Sequence, residues 1–261
     1  YKIVIINDDS YDMLVNNNPF TKRHARAVKA MMPFVDDVIN VEPRVAAYNQ
    51  EKYQKGIYFP IICDDVIAKK RLERVLPISQ NYVSKYQLEG KKVLLFVGRL
   101  VALKNVEFAL RAFIKANLDN TVFVIVGDGP EKEKLEKIAA GNPAVIFTGR
   151  LEGDELYAWY NVGQVFTLPS YKEPFGAVTN EALVAGCKVL ISKDAGSNCL
   201  VKDGKNGYII DPHHETKFIE KLKLAFYSMK PLKMQLVVKE NMMVSSFEEH
   251  IKSLYARMEN L

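Results

Sequence analysis

From about residue 91 onward, short apolar runs alternate with segments of helical periodicity, and this alternation strongly constrains the fold. The apolar runs, rich in Val, Ile, Leu and Phe, cover residues 93–97, 122–126, 145–148, 165–168, 189–192 and 208–210. The helical patterns cover residues 106–117, 130–140, 152–160, 179–185 and 215–229. Continuous apolar runs are typical of strands buried on both faces of a parallel sheet. Their alternation with helices predicts βαβ units and a doubly wound α/β sheet.

The first 88 residues show a shorter α/β pattern. We predict strands at residues 1–6, 38–41 and 57–62, with helices at 21–32 and 44–55. We therefore predict a partial N-terminal α/β domain and linker over 1–88, a Rossmann-like domain over 89–240, and an amphipathic helix over 241–261. The chain begins within an apolar run and shows no signal-peptide pattern, which leads us to expect a piece of a longer protein.

Composition and charge exclude several classes of protein. The chain has three Cys and four His and no CxxC pair, which argues against a zinc module or a disulfide scaffold. The longest apolar stretch, residues 93–103, is interrupted by Gly98 and Arg99, so no segment approaches the ~20 apolar residues of a membrane span. The net charge of +5 is mild, and no run of Lys and Arg is interleaved with aromatics, so we do not expect nucleic acid as a partner.

The loops that follow the strands are the places to look for a ligand site, because open parallel sheets bind ligands outside the carboxyl ends of their strands. Arg99 and Lys104 lie five residues apart in the loop after the first strand of the larger domain. Two such cations could hold a diphosphate, and a pair of solvated surface charges explains the spacing as well. The turn at 127–130 lacks the third glycine of a GxGxxG fingerprint, which disfavours a nicotinamide cofactor.

Residues 168–183 form the most informative segment, in which a strand ends, a loop follows and a helix begins. A helix N-terminus presents free N–H groups, and Gly176 lacks the Cβ that would keep a phosphate or sugar away. Glu173 lies in the loop and Glu181 about one turn into the helix, where their carboxylates could accept bonds from the hydroxyls of a sugar. The alternative is that Glu173 is a capping acid and Glu181 a surface residue of the helix.

Taken together, the motifs resemble a known enzyme family. PSxxEPFGxxxxEAxxxG with its Glu173-x₇-Glu181 spacing, VGRLxxxKN at 97–105, VGDGP at 126–130 and FTGRL at 147–151 are similar to the motifs of the retaining GT-B glycosyltransferases of family GT4 (glycosyl transferases group 1). The resemblance covers residues 91–212 in order. It implies a GT-B architecture, in which a Rossmann-like donor domain is joined to a second, acceptor-side α/β domain that is only partial here.

The resemblance also implies roles for individual residues. Arg99 and Lys104 would neutralise the donor diphosphate, Glu173 would bind hydroxyls of the transferred sugar, and Glu181 would hold the ribose. We take Arg99, Lys104 and Glu173 as the candidate catalytic residues. The further candidate donor-binding residues lie in three loops and one helix and are Gly98, Gly149, Arg150, Phe175, Gly176, Ala177, Val178 and Glu181. Gly149 and Arg150 would lie against the base, and the C-terminal helix would pack back on the N-terminal part.

The expected activity is transfer of a sugar, with retention, from a UDP-, GDP- or ADP-sugar to a glycan or lipid-linked acceptor in polysaccharide or glycolipid biosynthesis. No Asp-x-Asp motif occurs, so we expect no metal and no cofactor, with Arg99 and Lys104 in place of a divalent cation. The alternatives are a nucleotide-sugar-binding module without turnover, a nicotinamide-dependent oxidoreductase and a sugar-nucleotide epimerase.

Two further expectations concern the family's Gly-Gly loop and the location of the protein. The Gly-Gly pair is Ala195-Gly196 here, and Cys199 stands where an acid often follows, so this loop departs from the family pattern. We expect a cytoplasmic enzyme with peripheral contact at the inner face of a membrane. The basic residues 69–71 would favour that contact, and a solvated helix face explains them equally well.

Overall fold

The computed structural model describes residues 2–9, 11, 14 and 22–259, and divides the chain into two compact units. The smaller unit comprises Tyr1–Ile62 and Ser245–Leu261, and the larger comprises Cys63–Val244. Tyr1, Thr21 and residues 260–261, which we included in a predicted strand and two predicted helices, lie outside the described residues. None of the described helices combines the length and the apolar character needed to cross a lipid bilayer.

The smaller unit is built on a three-stranded parallel sheet in the order β1-β2-β3. Its elements are β1 (Val4–Asn7), α1 (Lys22–Met31), β2 (Asp37–Asn40), α2 (Pro43–Tyr53), β3 (Ile57–Tyr58) and α10 (Phe247–Met258), numbered in chain order. Met32, Val35 and Val38 form one buried apolar cluster of this unit. The C-terminal helix α10 contacts β3, and its Phe247 ring packs edge-on against Phe59.

The strand that we predicted over 57–62 is shorter in the structure and ends at Tyr58. The Phe59 amide still donates to the carbonyl of Asn40, but Pro60 has no N–H group with which to continue the ladder. The predicted strand was therefore too long, because it included residues 59–62 around this proline.

The larger unit contains a six-stranded parallel sheet in the order β6-β5-β4-β7-β8-β9. Its strands are β4 (Lys92–Val97), β5 (Thr121–Val126), β6 (Val145–Gly149), β7 (Val165–Leu168), β8 (Lys188–Ser192) and β9 (Gly207–Ile210). Its helices are α3 (Asp65–Arg74), α4 (Leu76–Lys85), α5 (Val106–Ala116), α6 (Lys132–Ala139), α7 (Gly153–Val162), α8 (Val178–Val184) and α9 (Glu215–Tyr227).

The predicted α/β fold with a doubly wound parallel sheet is confirmed. Every residue of β5 is buried, and in β4 only Lys92 at its start is partly exposed, as expected for central strands covered by helices on both faces. The strand order reverses between β4 and β7, which pair side by side although two other strands separate them along the chain. Loops that leave neighbouring strands in opposite directions open a crevice, so this switch point is where such sheets bind ligands.

The boundary between the units differs from the one that we predicted at residue 88. Residues 63–88 belong to the larger unit because they form α3 and α4, which pack on α7. The Tyr82 ring stacks on Trp159 at a centroid distance of 4.7 Å, and the Ser79 hydroxyl donates to the carbonyl of Ala158. Asp64 caps α3 by accepting the Val66 and Ile67 amides, a start signal that the sequence contains.

Candidate active site

The loop after β4 carries Gly98, Arg99 and Lys104, and it is tied to the loop after β5. The Leu100 amide donates to the Asp128 carbonyl at 2.8 Å. At Gly127 the two loops approach so closely that a Cβ there would lie 1.9 Å from the carbonyl oxygen of Gly98. At Gly98 itself, the nearest atom to an added Cβ belongs to the ring of Phe96, at 3.1 Å. These glycines therefore first serve the packing of the loops against the protein itself.

A cavity of about 540 Å³ opens at the carboxyl ends of β4, β5 and β6. It is lined by Val97, Gly98, Arg99, Val126, Gly127, Asp128, Gly129, Arg150, Leu151 and Glu152. Arg150 is paired with Glu152 in this cavity. The exposed Arg99 guanidinium has no ion-pair partner among residues 2–9, 11, 14 and 22–259, so its charge is available to an anionic ligand.

Lys104 and Glu173 form an ion pair between the loops after β4 and β7, the two strands at the switch point. Only 21% of the Lys104 side chain and 12% of the Glu173 side chain are exposed. The loops are also joined through their backbones, because the Tyr171 amide donates to the Leu103 carbonyl at 2.9 Å. Two of the charged residues that we singled out thus meet directly.

The loop at 195–197, which departs from the family pattern, is hydrogen-bonded to the loop that carries Glu173. Glu173 and Ala195 form a parallel β-bridge, and the Gly196 amide donates to the Glu173 carbonyl. The Ser197 amide donates to the carbonyl of Phe175, and the buried Thr179 and Ser197 hydroxyls are 2.8 Å apart. Ala195-Gly196 therefore supports the segment that leads into α8.

The turn before α8 requires glycine at position 176. Gly176 has φ +91°, and a Cβ there would lie 2.6 Å from Cδ2 of Leu168. The amides of Phe175, Gly176, Ala177 and Val178 donate to no group in the part of the chain that the structure describes. Phe175 is buried, whereas Gly176, Ala177 and Val178 are at least partly exposed, so the donors of these three residues remain open to a ligand.

Glu181 lies in α8 and is held from the side by two tyrosines of α7. The Tyr160 hydroxyl donates to Oε2 of Glu181 at 2.7 Å, and the Tyr157 hydroxyl lies 3.4 Å from Oε1. Sequence reasoning missed both tyrosines. Their spacing of three residues places them on one side of a helix, but no sequence signal connects that helix with a residue more than twenty positions away.

Cys63 also lies near Glu181. Its amide donates to the side-chain oxygen of Asn180 at 2.8 Å, which brings the start of the larger unit beside α8. Burial, together with the nearby Glu181 charge, raises the pKa of the Cys63 thiol to about 11. The pKa of this thiol therefore depends in part on the charge of the Glu181 carboxylate.

Among the charged residues that we singled out, Arg99 and Lys104 follow β4, Glu173 and Glu181 follow β7, and Arg150 follows β6. The structure brings together Lys104 with Glu173, and places Arg99 with Gly98 and Arg150 around one cavity. Glu181 has its own partners on α7. Among residues 2–9, 11, 14 and 22–259, no group of three or more His, Cys, Asp or Glu side chains is arranged to hold a metal ion.

A doubly wound parallel sheet with charged side chains at its switch point is an architecture of nucleotide-binding α/β proteins. Comparison with known proteins identifies a family within this class. The chain belongs to the family of glycosyl transferases group 1, whose sequence model matches residues 79–253. Its fold is that of the GT-B glycosyltransferases.

Three similar proteins illustrate the relationship. The sulfoquinovosyl transferase SQD2 of Arabidopsis thaliana is 36% identical over 136 residues, which are 51% of this chain and 26% of the relative. A GDP-mannose-dependent alpha-mannosyltransferase of Mycolicibacterium smegmatis is 35% identical over 123 residues, 47% of this chain and 31% of the relative. The crystal structure of Anabaena Alr3699/HepE in complex with UDP superposes with a TM-score of 0.76 at 16% identity, covering 100% of this chain and 72% of that one. The matched segments span 26% and 31% of the two curated relatives.

Proposed function

We propose that this protein binds a nucleoside-diphosphate sugar at the carboxyl edge of the larger sheet and transfers the sugar to an acceptor. The observation that supports this most directly is the charge arrangement at the switch point, where Arg99 and Lys104 follow β4 while Glu173 and Glu181 follow β7. The family membership and the UDP bound to the Anabaena protein support a nucleotide-sugar donor.

In this proposal the cations act on the diphosphate leaving group. As the bond between sugar and diphosphate breaks, negative charge builds up on the phosphate oxygens, and the Arg99 guanidinium and Lys104 ammonium stabilise it. The open amides of Gly176, Ala177 and Val178 supply further donors. Removal of one such preorganised donor typically costs ~10²–10³ in rate. These groups would do the work of a divalent cation, so we propose a reaction that needs no added metal.

The carboxylates act on the hydroxyl groups of the donor. Glu173, held in place by Lys104, accepts bonds from hydroxyls of the transferred sugar, and Glu181 accepts bonds from the two ribose hydroxyls. In this proposal Gly149 and Arg150 contact the base, and Arg150 lines the 540 Å³ cavity. Attack of the acceptor hydroxyl from the face that the diphosphate leaves gives retention of configuration.

The acceptor that we propose is a glycan or a lipid-linked saccharide, in polysaccharide or glycolipid biosynthesis. The Arabidopsis relative is a sulfoquinovosyl transferase, and the mycobacterial relative is named for mannosyl transfer from GDP-mannose. Peripheral contact with a membrane at its cytoplasmic face stays a prediction. Binding of the protein to vesicles with and without anionic lipid tests it.

A thermal-shift screen with UDP, GDP and ADP tests the donor site. A nucleotide present at 100 times its Kd should stabilise the protein by about 2.7 kcal/mol. A transfer assay with the corresponding UDP-, GDP- or ADP-sugars then separates an enzyme from a binding module, because only catalysis releases the nucleoside diphosphate. Lys104→Ala should slow transfer more than it weakens binding of the nucleotide. Failure of all three nucleotides to stabilise the protein would refute the proposal.

A further inference from the structure

Tyr160 is a fully buried residue on α7 whose hydroxyl contacts the candidate ribose-binding carboxylate. Its hydrogen bond to Oε2 of Glu181 measures 2.7 Å, a normal length for a phenol donating to a carboxylate. The Tyr157 hydroxyl, one turn earlier on the same helix, lies 3.4 Å from Oε1. A rigid helix thus approaches Glu181 from one side and contacts each of its two oxygens.

Both tyrosine hydroxyls carry a proton that can be donated to Glu181 in a hydrogen bond. Burial, followed by the Glu181 charge, raises the pKa of Tyr157 to about 12, and the same causes raise the pKa of Tyr160 well above its ordinary value. The phenols therefore stay protonated at any ordinary working pH. A carboxylate has about four acceptor positions, so two remain after the tyrosines are bound. Two vicinal hydroxyls would use those two positions.

The helix that presents Tyr160 is itself fixed at its C-terminal end. The Lys239 ammonium donates to the carbonyls of Tyr160 and Asn161 at 3.0 and 2.7 Å. A cation at a helix C-terminus is favourable because the last carbonyls lack partners within the helix. The Asn161 side chain in turn donates to the Leu72 carbonyl at 2.9 Å. These bonds connect the last turn of α7, which carries Tyr160, to Lys239 and to α3.

The Tyr157 side chain is supported on its outer face. The Arg71 guanidinium lies 3.7 Å from the centroid of the Tyr157 ring, and it also contacts Asp154 on α7 at 3.2 Å. The arginine is thereby held over the ring from within the larger unit. Both phenols that face Glu181 are in this way fixed by neighbours that do not themselves touch the carboxylate.

We propose that Tyr160, assisted by Tyr157, is a positioning residue that holds the Glu181 carboxylate in the orientation that binds both ribose hydroxyls of the donor nucleotide. This inference rests on the proposed function, because it takes the ligand of Glu181 to be a ribose. Its consequence is selectivity between nucleotides with and without the ribose diol. Without the Tyr160 hydroxyl, Glu181 can rotate about its side-chain bonds, and the preference for a ribonucleotide over a nucleotide without the diol falls.

Titration calorimetry with matched nucleotides tests the inference. The probes are UDP, GDP and ADP, each with its 2′,3′-dideoxy counterpart, and the readout is the ratio of the two dissociation constants. In the unchanged protein the ribonucleotide should bind more tightly by about tenfold or more, as expected for hydrogen bonds to a charged group. Tyr160→Phe should lower that ratio by about fivefold while affinity for the dideoxynucleotide stays the same.

Tyr82→Phe is the matched control. Tyr82 also packs against α7, and its hydroxyl contacts the Glu155 carbonyl at 3.4 Å, but it does not touch Glu181. The control should keep the full ratio. An equal loss of affinity for both nucleotides in Tyr160→Phe would mean a purely structural role and would overturn the inference.

Glu181→Gln separates the inference from the function on which it rests. If Glu181→Gln abolishes the ratio and Tyr160→Phe preserves it, Glu181 binds the ribose and only the positioning role of Tyr160 is wrong. If Glu181→Gln keeps the ratio, the ribose assignment itself fails and the inference fails with it. Should Tyr160→Phe not fold, Tyr157→Phe decides: a smaller fall in the ratio supports the inference, and an unchanged ratio overturns it.

Discussion

Lys104 and Glu173 form an ion pair that links the loops after β4 and β7 at the point where the strand order of the larger sheet reverses. Both side chains are mostly shielded from water, with 21% and 12% exposed. The pair orders two loops that start on neighbouring strands but lie about seventy residues apart along the chain. It therefore connects the organisation of the candidate site with the stability of the larger unit.

This ion pair should contribute measurably to stability. Lys104→Ala leaves the shielded Glu173 carboxylate without a cation, which should lower the free energy of unfolding by about 1–3 kcal/mol. Urea unfolding of Lys104→Ala, Glu173→Ala and the double variant gives the coupling energy. Lys115→Ala is the control, since its pair with Glu215 is largely exposed, and it should cost less than about 1 kcal/mol. Additive single effects would show that the two side chains are not coupled.

Arg99 should bind the phosphates of the ligand rather than its base. Arg99→Ala should weaken binding of a nucleoside diphosphate by about tenfold at low salt and leave binding of the uncharged nucleoside unchanged, because only the former carries charge for the guanidinium. Calorimetry with the two ligands measures the difference. Arg111→Ala, which removes an arginine paired with Glu107 on α5, should change neither affinity. An equal effect on both ligands would remove Arg99 from the phosphate site.

The reactivity of Cys63 should depend on the charge of Glu181. A pKa of about 11 makes the thiolate fraction near pH 8 about a hundredfold lower than at the ordinary value of 9.0, so alkylation by iodoacetamide should be slow. Glu181→Gln removes one of the charges that raise this pKa and should speed the reaction. Burial, the larger cause, should still keep the reaction slower than that of a free thiol.

Peptide mapping by mass spectrometry distinguishes Cys63 from Cys187 and Cys199 in this experiment. Glu152→Gln is the control, because that carboxylate pairs with Arg150 and does not contribute to the Cys63 pKa. If Glu181→Gln and Glu152→Gln gave the same alkylation rate as the unchanged protein, the Glu181 carboxylate would not lie near the thiol.

The stability of the smaller unit should decrease in mild acid because of His250. Burial lowers the pKa of His250 below its ordinary value of 6.5, and its ring packs edge-on against Tyr58 and Phe59. In the unfolded chain the imidazole takes up its proton at higher pH, so the contribution of neutral His250 is present above about pH 6.5 and is lost as the pH falls through the lowered value.

Unfolding followed at several pH values between 5 and 8 measures this dependence. His250→Gln should reduce the slope in that window, since glutamine does not titrate. His213→Gln, at an exposed position of the larger unit, serves as the control. This variant should show the same dependence of stability on pH as the unchanged protein. If His250→Gln does not alter the slope, the loss of stability in mild acid does not come from His250.

Much of the larger unit could be predicted from local sequence. The runs that became β4, β5 and β7 are short and almost entirely apolar, and each begins with Val, a composition that favours buried parallel strands. The helices α3 and α4 were missed although Asp64 and Pro77 mark their starts, because their hydrophobic pattern is weak and was read as a connection between domains. In the structure both helices pack against α7.

The sequence alone identified which loops carry charged residues, since that follows from where strands end and from the motifs around Arg99, Lys104, Glu173 and Glu181. Only the tertiary structure decided which of these side chains meet. Strand order places β4 beside β7, and this brings Lys104 to Glu173. The packing of α7 against α8 brings Tyr160 to Glu181. Contacts between distant segments depend on how helices and strands pack, and a local pattern of residues does not predict that packing.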